Sequence, residues 1–156
     1  MRIWIDADGA PAAMLEIVYK ASQRLKAPVT LVANRWMQTP PSRLITSVQV
    51  AQGLDVADAW IVEHCEAGDI VISNDIPLAA EAIAKGAQVI QHRGEVLDAD
   101  NVGQRLAMRD FMEELRAGGV MGGGPPPYDA KARQAFANGL DRLLAAWVRR
   151  QGSGSA

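Results

Sequence analysis

The chain of 156 residues contains one cysteine, Cys65, so no disulfide can form within it. That composition suits a reducing, cytoplasmic setting, and Cys65 reads as a small apolar filler in a buried helix. The two histidines, His64 and His92, are too few and too far apart for a zinc site. No apolar run approaches the roughly 20 residues that span a bilayer. The first residues carry neither a basic region nor a small-residue cleavage site, so neither membrane insertion nor export is expected. An excess of positive charge is also missing: 16 Lys and Arg face 18 Asp and Glu, a formal net charge of −2. A broad nucleic-acid-binding surface is thereby excluded, but a local basic strip is not. There is no P-loop, no dinucleotide-binding glycine fingerprint and no nucleophile elbow. Ser42 and Ser73 have no recognisable base partner.

With 49% hydrophobic and 22% charged residues, the composition is that of an ordinary globule. A chain of this length buries roughly 70% of its unfolded surface, enough for one domain, expected over residues 1–150, with a frayed, disordered tail at 151–156. Arg2 to Asp6 reads as a strand, and Gly9 and Pro11 open a helix whose apolar stripe runs through Met14, Leu15, Val18, Ala21, Ser22 and Leu25. VTLVA at 29–33 has the continuous apolar pattern of a strand covered on both faces. Strands follow at Leu44 to Val50, Asp69 to Ser73 and Ala87 to Gln91, alternating with helices that open at Asp55 and after Asn74. Alternation of this kind means βαβ units and an α/β fold with a mostly parallel central sheet, helices on both faces. Asn101 to Arg116 and Asp129 to Arg150 read as two C-terminal helices packed on that core, separated by GGVMGGGPPP (118–127), which is too rich in Gly and Pro to be regular.

The opening stretch IWIDADGAP ends an apolar strand with two acids one residue apart. In a parallel sheet, ligands bind beyond the carboxyl ends of the strands. Asp6 and Asp8 sit at such an end, and so does Asp75, just past DIVIS. Asp55 and Asp58, three apart, lean to one side of a helix's first turn. Four or five carboxylates thus have a route to one place, and hard cations such as Mg²⁺ or Mn²⁺ take oxygen ligands of this type. Each acid also has a plain structural role to weigh. Asp55 reads as an ordinary N-cap, and Asp58 as a complement to the helix dipole. Asp75 is evenly balanced between cap and ligand, and Asp8 fits a cap for the helix at Pro11. Asp6 has no capping job. Asp69, Glu63 and Glu66 read as solvated charges around Gly68.

Among the remaining polar residues, Asn34, Arg35, Ser42 and Arg43 occupy loops at strand ends, as do His92 and Arg93. An arginine there pairs with a phosphate or with a neighbouring acid. Trp4, Trp60 and Trp147 read as core or interface anchors, and Trp36, in its loop, as the one candidate base-stacking platform. The run Met108, Phe111, Met112, Leu115 is a helix stripe.

The stretches IDADGAP, LVAN, TPPS, GLDVADAWIV, GDIVISNDIPLAAEAIAKGA, HRGE, LAMRDFMEELR, GGGPPP and DRLL, in this order, resemble the YaiI/YqxD family of small bacterial proteins over nearly the whole chain, to about Leu144. The resemblance implies a PIN-like fold, in which nuclease members bind Mg²⁺ or Mn²⁺ through strand-end acids. By position it implicates Asp6, Asp58 and Asp75 as catalytic and metal-binding, with Asp8 and Asp55 in support. SNDIPLA departs from the PIN pattern in carrying Pro77 where a second acid stands. Ala10 stands where the YaiI/YqxD pattern has a cysteine, so a thiol is missing beside the acids.

Three readings compete. The leading one is a metal-dependent PIN-like nuclease acting on RNA, with Arg35, Arg43 or Arg93 contacting phosphate alongside Asn34. A non-catalytic PIN-like module that binds RNA or a protein is the second, favoured by the modest net charge. The third is a phosphatase of the haloacid dehalogenase type, since DADGA resembles that superfamily's Asp-x-Asp-Gly-Thr opening. Against it, Ala10 replaces the Thr, and the downstream Gly-Asp pair precedes its strand instead of following it.

Overall fold

A computed structural model describes residues 1–119 and 126–154. Its strands and helices alternate through β1 (Ile3–Asp6), α1 (Ala12–Leu25), β2 (Val29–Ala33), β3 (Ile45–Gln49), α2 (Val56–His64), β4 (Ile70–Ile72), α3 (Ile76–Ala84) and β5 (Gln88–Ile90). A two-residue strand, β6 (Val96–Leu97), follows, then α4 (Val102–Ala117) and α5 (Ala130–Gly154). The sheet runs β3-β2-β1-β4-β5-β6, parallel except for β6, which is antiparallel to β5 at the edge. The α/β fold with a mostly parallel sheet is therefore the one expected from the sequence. The strand β6 is not, because two residues are too short to leave a period.

Alternation along β1 shows why both faces are covered. Ile3 and Ile5 point into a core built with α1 and α5, where Met14, Val18, Phe136 and Leu140 are fully buried. Trp4, between them, points to the other face, against Ile61 of α2 and Leu78, Ala79 and Ala82 of α3. The α1 stripe buries Met14, Leu15, Val18, Ala21 and Ser22, as its spacing requires. Each fully buried Ile, Leu or Phe contributes roughly 1.5–3 kcal/mol through removal from water. The two C-terminal helices take opposite faces. α5 lies with α1, whereas α4 joins α3 through the half-buried Val102 and Leu106. Met108 and Phe111 on α4 stay 53% and 55% exposed, so the stripe expected there does not reach the core.

The order of the strands reverses between β1 and β4. β1 leads outward to β2 and β3 on one side, and β4 to β5 on the other. Register pairs Ile5 with Ile72, which sets Asp6 beside Ser73 at the crevice of that reversal.

Asp69 corrects an expectation. It is 6% exposed, not a solvated charge, and accepts hydrogen bonds from the Arg2 backbone N–H (3.0 Å), the Trp4 indole N–H (2.9 Å) and the Glu66 backbone N–H (2.9 Å). Three donors compensate a buried carboxylate where one would not. The bonds tie the entry to β4 onto β1. Glu63 and Glu66 are exposed as expected. Cys65 is buried but lies just beyond α2, as its C-cap, not within the helix. α5 continues to Gly154, past Arg150 and into the stretch expected to fray. Of GGVMGGGPPP, residues 120–125 lie outside the described residues, as do 155–156.

The turn after β5 touches α5 backbone to backbone. A Cβ on Gly94, whose φ is +93°, would sit 2.3 Å from the Ala135 carbonyl oxygen, and one on Gly139 would sit 2.7 Å from the Gly94 oxygen. Neither neighbour can yield without moving a helix. Gly94→Ala should therefore lower stability by roughly 2–3 kcal/mol through strain and displacement of α5, read as a lower urea midpoint. Asp69→Ala strands three donors in the interior and should cost roughly 3 kcal/mol, whereas Glu63→Ala should leave the midpoint within about 0.5 kcal/mol of wild type.

Candidate functional site

Ser73 is fully buried at the end of β4, where it works in both directions. Its hydroxyl donates to Asp6 Oδ2 at 2.9 Å and accepts from the Asp75 backbone N–H at 3.0 Å. The end of β1 and the start of α3 are thereby fastened to each other. Asp75 is the N-cap of α3, its Oδ1 accepting from the Leu78 N–H at 3.0 Å. That bond fixes the carboxyl at the helix end, and only one of its oxygens is needed for it.

From the other side, α2 delivers Asp55 and Asp58. The sequence favours plain capping roles for them, but Asp55 does not cap. It sits at φ 62° in the left-handed region, and its carboxylate makes no capping bond. An Asp tolerates that conformation better than most side chains, at some cost. Carboxylate oxygens of Asp55, Asp58 and Asp75 all lie within 4.8 Å of one another. Only Ile61 of α2 is buried, so the helix is less enclosed than its composition suggests, and Asp58 is half-buried.

Crowding of like charge shows in the proton affinities. Asp58 is pushed up from 3.8 to about 8, first by burial, then by its hydrogen bond to Asp75, then by the negative charges of Asp75, Asp6 and Asp55. Asp6 is also raised, mainly by burial, with Ser73 pulling the other way and Asp75 and Asp8 adding to the rise. A proton shared between carboxyls or a positive charge beside them would relieve such crowding. Its donors are carboxylate oxygens alone, from two helix starts, a set that fits a hard divalent ion better than a soft one.

Not every expected residue converges. Asp6 stands one step behind the three clustered acids, close enough to influence Asp58 and Asp75 but outside the 4.8 Å group. Asp8 turns away. It accepts from the Asn34 backbone N–H at 2.8 Å and faces Arg35 at 3.9 Å, so it ties β1 to the loop after β2 and does not cap α1, whose N-cap is Pro11. Arg93 is engaged by the Pro126 and Pro127 carbonyl oxygens at 2.6 and 3.2 Å. Arg43 is exposed before β3, and Trp36 is 70% exposed in its loop. Beside the acids a cleft of about 570 Å³ opens between α2, α3 and α4, lined by Asp55, Asp58, Asp75, Leu78, Leu106 and Arg109 among others. Two contributors escape sequence reasoning. Ser73 looks inert without a base, and Arg109, though it falls in the stretch LAMRDFMEELR, has no chemical role that its spacing reveals.

The sequence profile of the family described as "Uncharacterized BCR, YaiI/YqxD family" matches residues 4–146. A UPF0178 protein of Bordetella petrii is 52% identical over 149 residues, spanning 96% of this chain and 99% of the relative. One from Thioalkalivibrio sulfidiphilus is 55% identical over 145 residues, 93% and 99% of the two chains. No solved structure matches the chain.

The raised acid makes stability depend on pH in a defined direction. A carboxyl that holds its proton more tightly when folded contributes stability that is complete below 3.8 and is lost as pH climbs through about 8. Without metal, the thermal midpoint should fall across that window, and Asp58→Asn should flatten the fall. Parallel profiles for the two proteins would remove Asp58 as its source.

Proposed function

This chain belongs to the YaiI/YqxD family, and from that premise we propose that it is a metal-dependent, PIN-like nuclease acting on RNA. The observation that carries the reading is the convergence of Asp55, Asp58 and Asp75 from two separate helix starts, with Asp58 in need of a proton or a cation. Holding like charges so closely, two of them partly shielded from water, is costly, and a cation would offset that cost.

Asp55, Asp58 and Asp75 would hold Mg²⁺ or Mn²⁺, with Asp6 behind them. When bound, such an ion polarises a phosphodiester and lowers the pKa of a nearby water. The rest falls to the chain's own side chains. Ser73 holds Asp6 in place and, through the Asp75 N–H, orients the start of α3. Asp6, its proton affinity raised by burial, would be the side chain that accepts a proton. Asn34 and Arg35 would meet the substrate's phosphates on the β2 side of the strand ends, whereas Arg43, two residues before β3, lies at the opposite, amino end of the parallel sheet. The phosphatase reading needs Asp6 and Asp8 to act on one substrate, but Asp8 is turned toward Asn34 and Arg35.

The test is cleavage of labelled single-stranded RNA in Mn²⁺, alongside calorimetric titration with Mn²⁺ alone. Wild type should bind the ion and cut. Asp58→Asn should lose binding, and Asp6→Asn should lower cleavage on the order of a hundredfold. Equal cleavage by wild type and both variants would end the proposal. Absence of both metal binding and cleavage in wild type would leave the non-catalytic module in its place.

A further inference from the structure

Among the described residues, Arg109 is the only cation lining the cleft that opens beside the acids. Three features set it apart from a surface arginine. First, it shares a face of α4 with Leu106, three residues earlier, and that face packs toward α3. Second, its guanidinium is held by carboxylates of its own helix and not by the cluster. Nη1 donates to Asp110 Oδ1 at 3.0 Å and Nη2 to Glu113 Oε1 at 3.0 Å. These acids fix its direction but leave donors spare, because a guanidinium carries five N–H groups. Third, apart from Arg109, the three clustered acids and Glu81, the lining is apolar, built from Ala59, Pro77, Leu78, Ala80 and Leu106. A cavity of about 570 Å³ that presents acids, an arginine and apolar surface on one lining has the size and polarity of a small-ligand site.

A nucleotide has that pattern in reverse. Its sugar and base offer apolar faces, and its phosphates are spaced along the chain, so one can meet the acids' cation while the next meets a guanidinium. A duplex keeps its bases stacked inside and cannot lay one in a cleft between two helices. Resting on the nuclease reading above, we propose that Arg109 is the phosphate-positioning residue of the site. It binds the phosphate adjacent to the one being cut, and the α2–α3–α4 cleft takes the intervening nucleotide of a single strand. The arginines singled out by sequence lie elsewhere, and one of them, Arg93, is already engaged by two carbonyls.

The experiment compares Arg109→Ala and Arg109→Lys with Arg142→Ala, which removes the same charge from the exposed surface of α5. Loss of exposed helix ion pairs costs about 0–1 kcal/mol, so the variants should fold, and thermal midpoints verify it. The first readout is calorimetric Mn²⁺ binding, which Arg109→Ala should not weaken, since it removes a positive charge from the cleft that holds the ion. The second is anisotropy of a labelled oligouridylate with phosphorothioate linkages in Mn²⁺, across a salt series. Arg109→Ala should weaken binding roughly tenfold and reduce the salt slope by about 1. Arg109→Lys should recover part of the affinity, and Arg142→Ala should match wild type. In cleavage, KM should rise with kcat within about twofold, as for loss of a contact made equally before and during reaction. If wild type binds Mn²⁺ and cuts RNA while Arg109→Ala equals Arg142→Ala in affinity and slope, the arginine assignment fails and the nuclease reading stands. Tighter binding of a duplex than of the single strand would overturn the substrate class. A wild type that binds no Mn²⁺ brings down both.

Discussion

Pairing of β1 with β2 on one side and β4 on the other is the constraint from which the rest of the structure follows. A strand whose Ile3 and Ile5 enter one core and whose Trp4 enters another has no face left for water. Its polar chemistry can appear only at its ends. At the N-terminal end that chemistry is Asp69, whose bonds from the Arg2 and Trp4 N–H groups fasten the entry to β4 onto β1. At the C-terminal end it is Asp6 and Ser73, held together across the same pair of strands. The two hydrogen-bonded clamps bracket one parallel pairing.

Because the pairing is fixed, the acids are brought together whether or not their charges favour it. α3 begins two residues after Ser73, and its cap, Asp75, is fixed by the Leu78 N–H. α2 crosses from the β3 edge to lie over β1 and β2, ending its approach with Asp55 in a left-handed conformation. Burial first, and then repulsion among these carboxylates, raises the proton affinity of Asp58, while the helices that carry the acids are anchored by Ile61, Leu78, Ala79 and Ala82 in the core.

The opposite face of the sheet is more uniform. α5 lies against the turn after β5 so closely that Gly94 and Gly139 leave no room for a methyl group. Tyr128, just ahead of α5, donates its hydroxyl to the His92 carbonyl at 2.7 Å. α5 thus closes the core over β5 and braces the loops that flank the acidic edge. α4, by contrast, rests on α3 through the half-buried Val102 and Leu106 and keeps Met108 and Phe111 in solvent.

Local pattern alone determined most of the fold. VTLVA, DIVIS and the Met14-to-Ser22 stripe carry their burial in their spacing, because strand and helix periods are properties of a few consecutive residues. Glycines and prolines between them marked the turns, and five acids at strand or helix ends were visible as a group. What tertiary structure alone decided was which of those acids meet. Asp8 is drawn off by an amide of the neighbouring loop, Asp6 is held back by Ser73, and Asp55, read from sequence as a cap, joins Asp58 and Asp75. Asp69 passed for a surface charge because its donors lie 67 and 65 residues away, and Arg109 carries no local sign of the cleft it lines. The physical reason is one of range: periodicity reports burial over a single turn or strand, whereas an electrostatic site is made by segments that only the packed sheet brings within a few ångströms of each other.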